Sequence, residues 1–305
     1  MPTHQGSIRL FRAAGVQVFL HWSWFLFAAY ELSAGTKRYS SGVFPVLEYL
    51  SLFMIVLLHE FGHALACRQV GGVANQIVLW PLGGVAYVNP PPRPGATLWS
   101  IAAGPLVNVA LIPILSVLGF LSRSSGLAAT DPNLRLLLHS IWIINIVLLV
   151  FNLLPIYPLD GGQILRSLLW FVMGRARSLM VATILGFIGV AGFILLALWT
   201  QRIWFAILAG FMLLNCWGGL RHAQALTRLA KLPRRAGFAC PHCKTPPPLG
   251  ELWKCRTCGQ PFDTFQSGAV CPYCSTRYPA TACLECGEAS PVSEWAAAAI
   301  TPPKL

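Results

Sequence analysis

Three side chains within one helical turn have the residue types and spacing of a catalytic metal site. His59, Glu60 and His63 stand in the segment His-Glu-Phe-Gly-His. In a helix, residues four apart lie on the same face, so both imidazoles can bind one Zn²⁺ ion. Glu60 projects beside them, where it can act on a water molecule as a general base. The alternative is a buried polar cluster that holds helices together.

The elements that must position these residues are apolar enough to cross a membrane. Hydrophobic residues make up 55% of the 305-residue chain and charged residues 10%, against roughly 45–50% and 25% in soluble domains. A bilayer core needs about 20 helical residues. Six apolar runs approach this length: Val16–Leu32, Val43–Cys67, Leu98–Leu121, Leu136–Leu154, Leu179–Thr200 and Ile203–Leu220. The sequence therefore predicts an all-α polytopic membrane protein with about six transmembrane helices.

The segment between the second and third runs departs from this helical pattern. Residues 76–88 contain two short apolar stretches on either side of Gly83 and Gly84. Such a pattern is typical of a β-hairpin. We expect the hairpin to dip into the edge of the membrane, shielded by protein.

The charge of the chain indicates its orientation and excludes a nucleic-acid partner. Lys and Arg total 22 and Asp and Glu total 10, and the positive excess lies in residues 1–235. Lys and Arg are more frequent in the loops on one side of the predicted helices, which places both termini in the cytoplasm. Flanking charge of this kind explains the net charge of +12 without a nucleic-acid surface. The expected location is the plasma membrane of a prokaryote.

A catalytic zinc needs a third protein ligand, for which the sequence leaves few candidates. No glutamate occurs between residues 61 and 250, which disfavours the many soluble zinc hydrolases that use a later Glu. The candidates in the apolar part of the chain are Asp131, Asp160, His139 and His222. Only Asp160 is expected at the right depth and on the right side of the membrane. An aspartate there could instead cap the helix that follows.

Residues 236–305 form a second, cysteine-rich module. It contains four Cys-x-x-Cys pairs: Cys240 and Cys243, Cys255 and Cys258, Cys271 and Cys274, and Cys283 and Cys286. Eight thiolates suit two Cys₄ structural zinc sites in a double zinc ribbon, and the spacing leaves open which pairs share an ion. Disulfides are the alternative, but the predicted side is the reducing cytosol. We expect this tail to bind a protein partner.

Two of these motifs together resemble the site-2 protease family of intramembrane zinc metalloproteases. The first motif occupies residues 59–63, and the second, Phe-Asn-Leu-Leu-Pro-Ile-Tyr-Pro-Leu-Asp-Gly-Gly, occupies residues 151–162. Other features similar to that family are His21-Trp22-Ser23, Pro81-Leu82-Gly83-Gly84, and Gly104-Pro105 with Asn108. The resemblance covers roughly residues 8–220.

The resemblance implies a membrane protease with one catalytic zinc ion. Its ligands would be His59, His63 and Asp160, and Glu60 would be the catalytic acid and base. The substrate would be a single-span membrane protein, cut within or near its transmembrane helix in the lipid bilayer. Residues 1–235 would be the protease core, and the tail would hold two structural zinc ions.

Four further residues are candidates for contacts with the substrate or with a developing oxyanion. Asn152 is placed to donate a hydrogen bond to the oxyanion, and Asn145 lies on nearly the same helical face. The alternative for both is polar packing between helices. Gly83 and Gly84 lie where an extended substrate segment could add to the hairpin edge, or where the hairpin could act as a plug.

The main alternative function is a membrane zinc-binding scaffold or regulator without protease activity. Glu60 argues against it, because metal binding does not need this carboxylate. A zinc transporter would be expected to have several polar or acidic groups along its spans. Membrane zinc proteases of prenylated peptides normally need a later Glu, which is absent here.

Overall fold

The computed structural model describes residues 6–80 and 83–300 of the chain. Contacts divide the chain into two compact units. The membrane unit runs to Arg221, and the cysteine-rich unit comprises Pro91–Arg93 and the chain from His222 onward. The boundary between the two units after Arg221 lies earlier in the chain than residue 235, the domain boundary that the sequence predicts.

The membrane unit combines a small sheet with a bundle of helices. Its strands are β1 (Ser7–Ala13), β2 (Val16–His21), β3 (Val73–Trp80) and β4 (Gly83–Asn89). Its helices are α1 (Ser23–Gly35), α2 (Val43–Gln69), α3 (Pro94–Ser124), α4 (Leu127–Thr130), α5 (Pro132–Leu153), α6 (Asp160–Met173), α7 (Arg175–Thr200) and α8 (Ile203–Lys231). Helix α8 continues beyond Arg221 into the cysteine-rich unit.

Within the described residues, five helices are long and apolar enough to cross a membrane: α2, α3, α5, α7 and α8. They coincide with five of the six predicted runs. The break between α7 and α8 falls at Gln201 and Arg202, as predicted, and Gln201 has a positive φ of 53°. The chain is therefore a multi-pass membrane protein.

The prediction of a membrane span at Val16–Leu32, the first of the six apolar runs, is wrong. Its first part is strand β2, and its second part lies in α1, a helix of 13 residues. At 1.5 Å per residue α1 is about 20 Å long, too short to cross a ~30 Å hydrocarbon core. A run of apolar residues does not distinguish a buried strand from a buried helix, because both conceal their side chains from water.

A four-stranded sheet, in the order β1-β2-β3-β4, corrects the all-α fold class. The β1–β2 and β3–β4 pairs are antiparallel, and β2 runs parallel to β3. The second antiparallel pair occupies the segment predicted to be a hairpin. Insertion of this segment into the membrane stays a prediction.

The sheet packs against α2, and this packing holds the metal-binding motif in place. Val16 and Val18 of β2 and Ile77 and Leu79 of β3 are fully buried in one cluster with Leu57 and Ala64 of α2. Burial of each large aliphatic side chain contributes roughly 1.5–3 kcal/mol. Because Leu57 and Ala64 flank residues 59–63, the cluster anchors α2 on both sides of the motif.

The cysteine-rich unit contains two short ribbons and a terminal helix. Its elements are β5 (Trp253–Lys254), β6 (Pro261–Phe262), β7 (Thr281–Ala282), β8 (Ala289–Ser290) and α9 (Val292–Ile300). Strand β5 pairs antiparallel with β6, and β7 with β8. Trp295 of α9 is 1% exposed and packs edge-on against Phe265, with ring centroids 4.9 Å apart.

Candidate metal centres

The motif on α2 and the start of α6 meet inside the membrane unit. His59, Glu60 and His63 are 5–6% exposed on α2. Helix α5 ends at Leu153, and α6 begins at Asp160 after a segment with two prolines. A proline lacks the N–H that a continuing helix requires. The chain therefore leaves the helical path before Asp160 and brings its carboxylate to α2.

The carboxylate of Asp160 lies between the two imidazoles and does not cap α6. Its Oδ2 is 3.0 Å from Nε2 of His59 and 3.3 Å from Nε2 of His63. The N-cap residue of α6 is Leu159, without a side-chain cap. In the described part of the chain, no backbone N–H donates to the Asp160 carboxylate. The capping alternative is therefore not the conformation adopted.

The three atoms fit one tetrahedral zinc ion. The two Nε2 atoms are 3.1 Å apart, and each lies 3.0–3.3 Å from Oδ2 of Asp160. Bonds of about 2.0–2.1 Å to zinc place neighbouring ligand atoms about 3.3 Å apart in a tetrahedron. The observed separations agree with this value, and two nitrogens with one carboxylate oxygen are a ligand set that catalytic zinc uses.

Hydrogen bonds on the far side of each ring indicate that both Nε2 atoms carry lone pairs. Nδ1 of His63 lies 2.9 Å from the carbonyl oxygen of Ser100, which only accepts. Nδ1 of His59 lies 2.6 Å from Oδ1 of Asn108. In neutral imidazoles with Nδ1 protonated, two Nε2 lone pairs and a carboxylate would face one another. A cation at their centre removes this repulsion.

Glu60 lies beside this centre and is held by the sheet. The backbone N–H of Ala86 in β4 donates to Oε2 of Glu60 over 2.8 Å. Gly84 of the same strand packs against the Glu60 side chain, and a Cβ at position 84 would lie 2.6 Å from Oε1. The lack of a side chain at Gly84 therefore lets β4 cover the carboxylate.

Glycines also bring α3 close enough for the imidazoles to converge. A Cβ at Gly104 of α3 would lie 2.9 Å from Nε2 of His59. A Cβ at Gly62 of α2 would lie 2.7 Å from the carbonyl oxygen of Ala103. Both distances are shorter than real Cβ contacts, so α2 and α3 can approach this closely only with glycine at both positions.

Comparison with known proteins identifies this arrangement. The model of peptidase family M50 matches residues 48–130 and 123–196, a region that contains both halves of the metal centre. The structure of a site-2 protease from Methanocaldococcus jannaschii is 27% identical, with a TM-score of 0.52, covering 70% of this chain and 95% of that chain. The membrane unit therefore resembles peptidase family M50, and we refer to its candidate zinc site as the M50 site.

Curated proteins similar to this unit are named as zinc metalloproteases or putative zinc metalloproteases. A zinc metalloprotease of Methanocaldococcus jannaschii is 33% identical over 180 residues, 59% of this chain and 50% of the relative. A Synechocystis relative is 27% identical over 241 residues, 72% of this chain and 61% of the relative. The chain spans about half to three fifths of the length of these relatives.

The other predicted site residues of the membrane unit lie in different surroundings. Asn145 is fully buried, and both its amide oxygen and its amide nitrogen bond to Asn108. The substrate contact of Asn145 stays a prediction. Asn152 lies in the last turn of α5 and is partly exposed, and within the described residues its amide makes no hydrogen bond. Gly83 opens β4 opposite Trp80, and Pro81 and Leu82 lie outside the described residues.

Three residues near the metal centre were missed or undervalued by the sequence analysis. Asn108 and Ser100 provide the acceptors for the two imidazoles, and Ala86 provides the donor to Glu60. Ser100 and Ala86 act through backbone groups, which carry no sequence signal. Asn108 is a polar residue in an apolar helix. This contrast is a sequence signal from which a hydrogen bond to a metal ligand could have been predicted.

The cysteine-rich unit contains two further candidate metal centres. One consists of Cys240, Cys243, Cys283 and Cys286, and the other of Cys255, Cys258, Cys271 and Cys274. Sγ atoms of cysteines from the two different Cys-x-x-Cys pairs are 3.7 Å apart in the first centre and 3.5–3.7 Å apart in the second. Zn–S bonds of about 2.3 Å place tetrahedral sulfurs about 3.8 Å apart, so both sets fit zinc.

Each Cys-x-x-Cys pair adopts the same turn. The residue after the second cysteine has a positive φ of 59–76° in all four: Lys244, Gly259, Ser275 and Gly287. Its N–H donates to the carbonyl oxygen of the first cysteine over 2.9 Å in every case. The Tyr278 hydroxyl donates to Sγ of Cys255 over 3.0 Å. This hydrogen bond, together with those from the backbone of Cys258 and Thr257, lowers the pKa of that thiol to about 5.

Proposed function

We propose that this protein is an intramembrane zinc metalloprotease that hydrolyses a peptide bond within or near the transmembrane helix of a membrane protein. The convergence of His59, His63 and Asp160 beside Glu60, in a helix apolar enough to cross a membrane, carries the proposal. A zinc-binding scaffold would need the three ligands and not the adjacent carboxylate. The zinc metalloprotease name of a curated relative supports the same chemistry.

Each residue at the site has a defined task in this reaction. When bound, zinc supplies Lewis acidity that activates water and polarises the scissile carbonyl. Oε2 of Glu60 is held by the Ala86 N–H, which leaves Oε1 to take a proton from water and deliver it to the leaving amine. Asn152, with its amide unengaged in the described structure, is placed to donate to the developing oxyanion.

The substrate must be partly unfolded at the site, because backbone groups in an intact helix are already hydrogen-bonded and shielded. Strand β4 is at the edge of the sheet and packs on α2 beside Glu60. We propose that an extended substrate segment adds to this edge near Gly83 and Gly84. Specificity would then come from the side chains of the unwound segment.

The tail and the orientation complete the proposal. The chain binds three zinc ions, one at the M50 site and two in the Cys₄ sites, which make the tail foldable. Both termini lie in the cytoplasm of a prokaryote, where the tail binds a protein partner. The substrate is a single-span membrane protein in the same bilayer.

The proposal is tested with the full chain in lipid nanodiscs and a panel of tagged single-span membrane proteins. The Glu60→Gln variant is expected to lose cleavage by on the order of 10²–10⁴-fold, because the general base is removed, with an unchanged zinc content. Glu48→Gln is the matched control, since Glu48 lies on the same helix about three turns before Glu60 and pairs with Arg38.

Two outcomes would contradict the proposal. Equal cleavage by the wild type and Glu60→Gln would assign the activity to another group or to a contaminant. No cleavage of any substrate by a protein with a full zinc complement would favour the scaffold function.

A further inference from the structure

A buried pair of amides connects the metal centre to the middle of the helix bundle. Asn108 of α3 and Asn145 of α5 are both fully buried among apolar helices. A buried amide without partners costs several kcal/mol, so each must have its hydrogen bonds satisfied. Hydrogen bonds connect Asn145 of α5 to Asn108 of α3, and Asn108 to His59 of α2.

The direction of each of these hydrogen bonds follows from one backbone carbonyl. Nδ2 of Asn145 lies 3.0 Å from the carbonyl oxygen of Asn108, which can only accept. The other end of the Asn145 amide, Oδ1, therefore faces Asn108 and accepts from its Nδ2 over 2.8 Å. This leaves Oδ1 of Asn108 toward His59, where it accepts from Nδ1–H over 2.6 Å.

The two histidines differ in what fixes their protonation. The acceptor for His63 is the Ser100 carbonyl of α3, whose identity is set by the backbone. The acceptor for His59 belongs to a side-chain amide, which can present either oxygen or nitrogen. An Asn108 amide turned the other way would donate to Nδ1 and leave the proton on Nε2, the atom that faces Asp160. His59 could then no longer bind a metal through Nε2.

We propose that Asn145 is a positioning residue for the metal centre, which orients the Asn108 amide and thereby holds His59 in its metal-binding tautomer. Among the described residues, the side-chain hydrogen bonds of Asn145 go to Asn108 and not to a candidate ligand. Its effect passes through Asn108 alone. The inference rests on the proposed zinc site and is independent of whether the protein cleaves peptides.

Zinc affinity of the full chain measures this effect directly. Wild type and variants are titrated with a competing chelator in nanodiscs, and the M50 site is recognised as the one abolished by His63→Ala. Asn145→Leu preserves volume and removes the amide, and we expect zinc affinity at this site to fall roughly 10–100-fold, as for other partners of metal ligands. Asn215→Leu is the control, since Asn215 lies half-buried on α8 and donates to the carbonyl oxygen of Phe211 in its own helix.

A second background separates orientation from packing. In the Asn108→Asp background, both carboxylate oxygens accept, so His59 Nδ1 meets an acceptor whichever way the group turns. Adding Asn145→Leu there is expected to leave zinc affinity unchanged. An equal loss of affinity in both backgrounds would show that Asn145 acts through packing, and no loss in the native background would remove it from the metal centre; either result overturns the proposal.

Helical circular dichroism and gel filtration check that each variant folds. If Asn108→Asp does not fold, Asn145→Asp replaces it, because this variant keeps the acceptor that orients Asn108. It is expected to bind zinc more tightly than Asn145→Leu, and equal weakening would contradict the proposal. Altered zinc affinity without any peptide cleavage would leave the inference standing and reject the proposed protease function.

Discussion

At the scale of single residues, the metal centre depends on glycine at neighbouring positions as much as on the residues that can bind the metal. His59, His63 and Asp160 supply three ligand atoms within 4.8 Å of one another. Gly104 leaves the space into which both imidazoles turn. A sequence motif lists the ligands, whereas the space they require belongs to a helix distant in the chain.

Gly104→Ala is expected to weaken zinc binding at the M50 site. The added Cβ would lie 2.9 Å from Nε2 of His59, and overpacking of this kind costs about 1–3 kcal/mol, roughly ten- to a hundredfold in affinity. Gly119→Ala on the same helix is the control, because a Cβ there meets nothing within 4 Å. Chelator competition measures both, and equal affinities would contradict the role assigned to Gly104.

At the scale of elements, strand β4 packs against helix α2 at Glu60. The strand covers the carboxylate through Gly84 and holds it through the Ala86 N–H. This contact assigns the hairpin a direct part in positioning Glu60. It accounts for Gly84 in the predicted hairpin better than turn formation alone.

Gly84→Ala is expected to lower peptide cleavage while leaving zinc bound. A Cβ at this position would lie 2.6 Å from Oε1 of Glu60 and displace a group that is not a ligand. A misplacement of about 1 Å in a catalytic group costs on the order of 10²-fold in rate. Cleavage rate and zinc content are measured on the same sample. Loss of zinc together with activity would mean that Gly84 supports the fold of the site and not Glu60 alone.

At the scale of the whole chain, the two Cys₄ sites are nested. The first Cys-x-x-Cys pair joins the fourth, and the second joins the third. The inner site lies within the loop that the outer site closes. Metal binding in the outer site therefore connects the first and the last Cys-x-x-Cys pair.

The nesting is tested by counting zinc ions in a double variant. Cys258 and Cys274 belong to the same inner site, so Cys258→Ser with Cys274→Ser is expected to remove one zinc ion. If successive pairs formed the sites instead, these two cysteines would belong to different sites. Two ions would then be lost. The variant Cys67→Ser is the control, since Cys67 is buried in the membrane unit and belongs to neither site.

Much of the chemistry and most of the membrane helices were predictable from the sequence, because both are written in local spacing. Two histidines four apart, eight cysteines in close pairs and five long apolar runs need no knowledge of distant contacts. The run Val16–Leu32 was misread because a central strand and a membrane helix are equally apolar.

The tertiary structure alone decided how these local features combine. It placed Asp160 between two histidines of α2, put Asn108 and Asn145 behind His59, and laid β4 over Glu60. It also chose which cysteine pairs share a metal ion. The physical reason is that spacing along a chain determines faces of single helices and turns. Ligand geometry, tautomers and close approach depend on which faces meet, and that is determined by packing between elements far apart in the sequence.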